Sequence, residues 1–336
     1  MKICVVGAGA IGGLLAVKLA HSGHEVSVVV RGANLSAVRA HGMRLRLQDG
    51  SELCAKVQAS DRIGELGAQD VVILAMKAHQ LPAVAAEIPL LLGPDTVIVT
   101  AQNGVPWWYF HKHGGAHEGQ RVEAVDPGGV VSAALPVERI IGCIVYPACD
   151  MLEPGVIRHI EGNRFSLGEL DGASTPRIRA LADAMRAAGF KTPISSDIRS
   201  ELWIKLWGNL SFNPISALSH ATLADICAYA PSRELAANMM REAQSIGEQL
   251  GVNFKVSLEQ RIDGAAAVGQ HKTSMLQDLE AGRPLELAAL VGSVLDMARL
   301  TGTPTPTINA VYALASLLAR TVQAQQGSLR IASPGV

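Results

Sequence analysis

Short runs of β-branched and other apolar residues alternate with stretches of helical period through the first half of the chain. ICVVG (3–7), EVSVVV (25–30), DVVILAM (70–76) and TVIVTA (96–101) read as buried strands, because brief, nearly unbroken apolar runs between turn formers fit a sheet covered on both faces. An apolar-periodic helix is expected over about 11–21 and a longer one over about 80–92, with Gly and Pro marking the ends. Strand-like segments return around 140–146, 156–160 and 164–167. Residues 104–136 are rich in Gly, His and Pro without a steady period, which predicts a long functional or mobile loop. After a helix near 175–189 the pattern is almost continuously helical from 196 to about 325, with breaks expected at Pro214, Pro231, Gly251, Pro284 and Pro304. The last ten residues read as a loose tail.

This is the rhythm of βαβ units feeding a parallel sheet, followed by a helical half. At roughly 150 residues per domain, 336 residues suggest two domains, and the change in character puts the boundary at 195/196. Lys plus Arg, 29, balance Asp plus Glu, 30, so no net field draws in nucleic acid or an anionic membrane, and a small molecule is the expected partner. Cys4, Cys54, Cys143, Cys149 and Cys227 are scattered, with no CxxC pair or metal-ligand spacing, as expected where thiols stay reduced. A cytoplasmic location is expected. Lys2 followed by the apolar run 3–17 imitates a signal peptide, but a signal peptide does not need glycines at 7, 9 and 12. No run that is both uncharged and continuously apolar reaches the roughly 18 residues of a membrane span.

Residues 7–12, GAGAIG, leave a strand and open a helix, the context that a dinucleotide fingerprint requires. Gly7 permits the tight turn and Gly9 lets backbone amides approach a pyrophosphate. Ala10 and Ile11 begin the helix whose N-terminus faces the anion, and Gly12 allows helix to pack closely on strand. The alternative, a merely tight turn, fits less well with a strand before it and another about fifteen residues on. The expected fold class is therefore α/β: an N-terminal Rossmann dinucleotide-binding domain over 1–195 and a C-terminal all-helical domain over 196–336. NAD-specific domains end the second strand on a carboxylate that accepts from the ribose 2′-hydroxyl. Here Arg31 follows that strand, and a cation suits the 2′-phosphate of NADP(H); otherwise it is an exposed Arg closing a strand.

Lys77 and Asn103 stand just beyond the C-terminal ends of expected strands, the edge where open α/β sheets bind ligands. Locally they also read as a solvated charge and a turn former. In RSELWIKLWGNLSFNP, Lys205, Asn209 and Asn213 recur at i, i+4 and i+8 on one side of a helix. Leu202, Trp203, Leu206, Trp207, Leu210 and Phe212 surround them, and a polar stripe on such a helix must find partners. A lysine there can protonate a carbonyl oxygen as hydride reaches the carbon, while amides hold substrate oxygens without adding charge. A surface Lys with two bridging amides accounts equally well for the spacing. Ser274 and Glu286 flank a turn at 282–284. A carboxylate beside a lysine could steady it, though the helix dipole alone favours Glu in a first turn.

Together MKICVVGAGAIGG, Arg31, MKAHQ, AQNGV, ELWIKLWGNLSFNP and TSMLQDLEAGRPLEL make the chain resemble the ketopantoate reductase (2-dehydropantoate 2-reductase) family over nearly its whole length. The resemblance implies an NADP-dependent oxidoreductase acting on CH-OH groups, which reduces 2-dehydropantoate to pantoate in pantothenate biosynthesis. It implies Lys205 as general acid, with Glu286 assisting in substrate binding and orientation. It further implies Asn103, Asn209, Asn213 and Ser274 on the substrate's carboxylate and hydroxyls, Lys77, Gln80 and Asn103 along the cofactor, and Arg31 on its 2′-phosphate. Members often continue the glutamate motif as E-(I/V)-D and then N-G, whereas here Leu287 and Ala288 follow Glu286, and Val291 precedes Gly292. His271 stands where some members have a substrate-contacting asparagine, and the loop after Asn103 is longer than in compact relatives. These departures leave the reaction type in place and put the substrate in question.

A related NADP(H)-dependent oxidoreductase of the same fold, acting on another 2-oxo or 3-hydroxy acid, is thus the second reading. A noncatalytic NADPH-sensing protein is the third, and Lys205 and Glu286 oppose it. Helical C-terminal domains of this kind often pair, which allows a homodimer. His111, His113 and His117 with Glu118 could converge on zinc, but the segment is Gly-rich and the implied reaction needs no metal, so none is expected. Trp107 and Trp108 are expected to anchor the loop against the helical domain, because no basic stripe accompanies them for base stacking. Cys143 and Cys149 read as core or strand residues.

Overall fold

A computed structural model describes residues 1–331, so the outer half of the expected tail lies outside the described residues. The strand β1 (Lys2–Val6) is buried after its first residue, and α1 (Ala10–His21) carries the chain to β2 (Glu25–Val29). Next come α2 (Gly32–His41), β3 (Met43–Arg46), β4 (Glu52–Ala55), β5 (Gln58–Ser60), β6 (Gln69–Leu74) and β7 (Leu92–Thr100). A short helix α3 (Val130–Ala134) precedes β8 (Ile140–Val145), β9 (Ala148–Glu153), β10 (Val156–Glu161), β11 (Phe165–Gly168) and α4 (Pro176–Ala187).

Seven strands form one sheet in the order β11-β8-β7-β6-β1-β2-β5, parallel except for β11. The winding reverses at β1, which pairs with β2 on one side and β6 on the other. The four expected buried strands all lie in this sheet. A second sheet, β4-β3-β10-β9, was not legible in the pattern, and the 156–160 strand belongs to it rather than to the main sheet. Its strands are short and half exposed, so they carry no long apolar run. It packs on α1 at Gly13, where the Ile157 side chain fills the room a Cβ would need.

The helix foreseen over 80–92 is instead a pair of 3₁₀ segments, Ala78–Ala83 and Ala85–Leu91, containing Pro82 and Pro89; proline removes an N–H and its ring clashes with α-helical geometry. The aperiodic stretch after Asn103 is anchored by the fully or nearly buried residues 107–110. Trp108 Nε1 donates to Thr100 Oγ1 at 2.9 Å, and its ring lies over Gly142 of β8. Trp108 therefore grips the main sheet, because Gly142 leaves the indole a place there.

Glu169, just past β11, accepts two hydrogen bonds from Arg177 at 2.8 and 2.6 Å and tethers the start of α4. Its side chain is only 4% exposed, so losing the arginine would leave an uncompensated charge, at a cost of about 3 kcal/mol.

The helices of the second half are α5 (Ile198–Ser219), α6 (Leu223–Ala228), α7 (Ala230–Gln249), α8 (Leu258–Ala267), α9 (Ser274–Glu280), α10 (Ser293–Thr301) and α11 (Pro306–Ala324). The break expected at Pro214 is absent: α5 runs through it, with Phe212 and Ile215 buried on either side, so tertiary burial offsets the missing hydrogen bond. By contacts the chain forms two compact units, Met1–Arg121 with Asp126–Ile198, and Val122–Val125 with the chain from Arg199 onward. Within the second unit the Ala124 amide donates to Asp296 Oδ2 at 2.7 Å. The expected tail is pinned at its start, where the Leu329 amide donates to the Leu279 carbonyl at 3.3 Å.

No helix among the described residues is long and apolar enough to cross a membrane. None of the five cysteines, all among the described residues, is in a disulfide. Burial pushes Cys4 up to about 11 and Cys149 up to about 12, so both stay protonated and unreactive at neutral pH.

Candidate active site

The turn after β1 shows why three of its positions are glycine. Gly7 has φ +92°, and a Cβ there would lie 2.6 Å from the Met76 amide nitrogen. At Gly12 a Cβ would run into the Gly7 carbonyl oxygen, so only glycine lets α1 sit this close to the turn. Gly9 differs: a Cβ there would meet nothing within 4 Å. It is the N-cap of α1 and offers no side-chain cap, and the first turn, which starts at Ala10 and Ile11, holds no acidic residue. Uncapped amides at a helix N-terminus beside open space suit a phosphate group, so the turn fits a dinucleotide.

Neighbouring loops converge on this turn. Met76 follows β6 and touches Gly7, and Gln102, following β7, donates to the Met76 carbonyl at 3.0 Å. Lys77 and Asn103, each one residue on, thus lie on joined loops at the C-terminal edge of β6 and β7, next to the reversal of strand order. Gln80 Oε1 accepts from the Lys77 amide at 3.2 Å and closes the first 3₁₀ turn. Arg31 is exposed and extended at the N-cap of α2. Asn34, not foreseen, donates to the Ala8 carbonyl at 3.1 Å and accepts from the Gly155 amide at 2.7 Å. It ties the glycine turn to the small sheet, a role with no signature in local sequence.

In the helical unit Lys205, Asn209 and Asn213 fall on α5. Lys205 and Asn209 are half-buried, whereas Asn213 is 5% exposed and its Nδ2 has no hydrogen-bond partner. A buried amide without a partner is costly, and such groups mark sites that a ligand or water completes. Trp203 and Trp207, both fully buried, hold the opposite side of α5, with Trp207 Nε1 donating to the Met240 carbonyl at 2.6 Å. Ser274 opens α9 and is exposed, after Thr273 has capped the helix through the Leu276 amide. Glu286 is half-buried and immediately precedes a helix whose first turn, Ala288–Gly292, is π-helical, a distortion frequent at functional sites. His271 is tied through its carbonyl to the Leu223 amide at 3.1 Å.

The histidine-rich segment has local structural roles. Glu118 accepts from the amides of Lys112 (2.8 Å) and Gly114 (2.6 Å), bonds that hold its carboxyl below the usual range. His113 packs against Tyr109 and Phe110. Among the described residues no three His, Cys, Asp or Glu side chains are grouped to hold a metal.

A doubly wound parallel sheet with a glycine turn at its point of reversal, joined to a helical unit bearing one polar stripe, defines a Rossmann-type oxidoreductase architecture. The family model "Ketopantoate reductase PanE/ApbA" matches residues 3–172, and its C-terminal counterpart matches 197–319. The chain belongs to the ketopantoate reductase family. It is 56% identical over 320 residues to a 2-dehydropantoate 2-reductase of Mesorhizobium japonicum, covering 95% of this chain and 98% of that one. A crystal structure of a candidate ketopantoate reductase from Ralstonia solanacearum MolK2 superposes with a TM-score of 0.91 at 41% identity, covering 96% and 98%. D-mandelate dehydrogenase, solved with NADH and anilino(oxo)acetate, shares the fold alone: TM-score 0.81 at 20% identity, covering 96% and 99%.

Proposed function

We propose that this protein is a cytoplasmic reductase that converts a 2-oxo acid to a 2-hydroxy acid with NADPH, and that its substrate is 2-dehydropantoate. The observation that carries the reading is the α5 stripe, where Lys205 and Asn209 share a face with a buried Asn213 amide that lacks a partner. Residues 1–195 would bind the cofactor, with Gly7, Gly9, Ala10, Ile11 and Gly12 at the pyrophosphate, Arg31 at the 2′-phosphate, and Lys77, Gln80 and Asn103 along its length. Residues 196–336 would bind substrate. When bound, the cofactor supplies hydride to the ketone carbon. The carbonyl oxygen then needs a proton, and the Lys205 ammonium donates it. Glu286 orients substrate and lysine, while Asn103, Asn209, Asn213 and Ser274 hold the carboxylate and hydroxyls.

The assay is NADPH oxidation by the purified protein with 2-dehydropantoate against a panel of branched and linear 2-oxo acids. A kcat/KM for 2-dehydropantoate well above the rest is the expected result. Slow turnover with it and fast turnover with another acid would favour the second reading, a reductase of a different 2-oxo or 3-hydroxy acid, for which His271 and the long aromatic-anchored loop speak.

Arg31→Asp is expected to weaken NADPH by about 10- to 100-fold, the worth of a charge-assisted contact to phosphate, and NADH far less. Fluorescence titration with both cofactors measures this. Equal losses would remove Arg31 from the 2′-phosphate.

A further inference from the structure

The polar stripe of α5 has a neighbour that its spacing does not reveal. Gly208 lies three residues beyond Lys205 and next to Asn209, inside a helix where glycine lowers stability. A Cβ at this position would collide with the guanidinium of Arg261, lying 2.6 Å from its Cζ and 3.1 Å from its Nε. Arg261 thus rests on bare helix backbone one turn from Lys205, where an alanine would displace it.

The arginine is delivered by a helix secured around it. Ser257 and Gln260 cap the start of α8 reciprocally, at 3.1 and 2.9 Å. Ile262 is buried, its carbonyl accepts from Cys227 Sγ, and Asp263 is bonded to Arg233 of α7 at 2.7 Å. Arg261 is neither fully buried nor fully exposed, so its charge keeps access to solvent and to a ligand arriving from it.

We propose that Arg261 binds the substrate's carboxylate, gripping both oxygens with its planar fork while Lys205 engages the adjacent carbonyl oxygen, and that residue 208 is glycine to admit it. The inference rests on the reading of the protein as a 2-oxo acid reductase. In a 2-oxo acid the carboxylate and ketone occupy neighbouring carbons, so the cation that orients one and the acid that protonates the other must approach from adjacent positions. Positions i and i+3 on a helix provide this, with about 5–6 Å between side-chain origins. Arginine suits the task better than lysine because its fork matches the two carboxylate oxygens. Arg261 then shares the carboxylate with the uncharged groups already assigned to the substrate's carboxylate and hydroxyls, and the enzyme distinguishes 2-oxo acids from neutral ketones of the same skeleton.

The test uses the full-length protein with NADPH and compares a 2-oxo acid substrate with its methyl ester, for wild type, Arg261→Gln and Arg261→Lys. Arg261→Gln is expected to raise KM for the acid by about 10- to 100-fold and to lose far more with the acid than with the ester, with NADPH affinity retained. Arg261→Lys recovers part of the loss, since it keeps the charge without the fork. Equal losses with acid and ester, or no loss with the acid, overturn the assignment. Should Arg261→Gln fail to fold, the same acid-to-ester ratio in Arg261→Lys decides the matter. A wild type that turns over no 2-oxo acid at all overturns the functional reading together with this inference, whereas turnover without charge discrimination in the variants overturns the inference alone.

Discussion

Replacing Lys205 with alanine is expected to lower kcat by about 10²- to 10⁴-fold, the usual worth of a positioned general acid, while leaving NADPH affinity nearly unchanged. The asymmetry follows from placement. Lys205 belongs to α5 of the helical unit, whereas the glycine turn and Arg31 belong to the sheet unit, so deleting the ammonium would remove the proposed proton source and leave the proposed cofactor residues in place. Steady-state kinetics paired with a fluorescence titration of NADPH separates the two quantities. Loss of kcat and kcat/KM in parallel would identify an interaction made in the transition state. Wild-type turnover by the variant would remove the proton-donor role from Lys205.

The glycine turn yields a second contrast of comparable size. Gly12→Val is expected both to destabilise the protein and to weaken NADPH by about 100-fold or more, because a side chain there collides with the Gly7 carbonyl oxygen and forces α1 away from the turn. Gly9→Ala should behave differently. Its Cβ meets nothing within 4 Å, and its φ of −76° is open to alanine, so the melting temperature should hardly move. Cofactor affinity should nevertheless fall, because the open space at Gly9 is where a pyrophosphate would approach. Thermal melts with and without NADPH distinguish these cases: a Gly9→Ala protein that binds NADPH normally would move the cofactor off this turn.

Much of the fold is legible in the sequence. β1, β2, β6 and β7 stand where the apolar runs put them, and α1 starts at the expected glycine turn. The expected helix over 80–92 failed because apolar period outweighed Pro82 and Pro89, each of which forbids an α-helical bond locally. The small sheet escaped notice because half-exposed strands of four to six residues leave no run long enough to stand out. The long loop looked mobile from its Gly and His content, yet Trp107, Trp108, Tyr109 and Phe110 are buried. Trp107 and Trp108 were the expected anchors within that aperiodic segment, and Trp108 is held on the main sheet through Thr100. The mid-helix Gly208 was likewise visible as an anomaly, though what occupies its place was not.

By itself the sequence determined the α/β order of elements, the glycine turn and the α5 stripe of Lys205, Asn209 and Asn213, because periods of 2 and 3.6 residues and turn chemistry act over a few neighbouring positions. Only the tertiary structure decided that Asn34 ties the turn to a second sheet, that Trp108 anchors on Gly142, and that Arg261 rests on Gly208. Each of these pairs residues 26 to 121 positions apart in one case and dozens in the others, and contacts at such separations are set by how the elements pack, which local spacing does not encode.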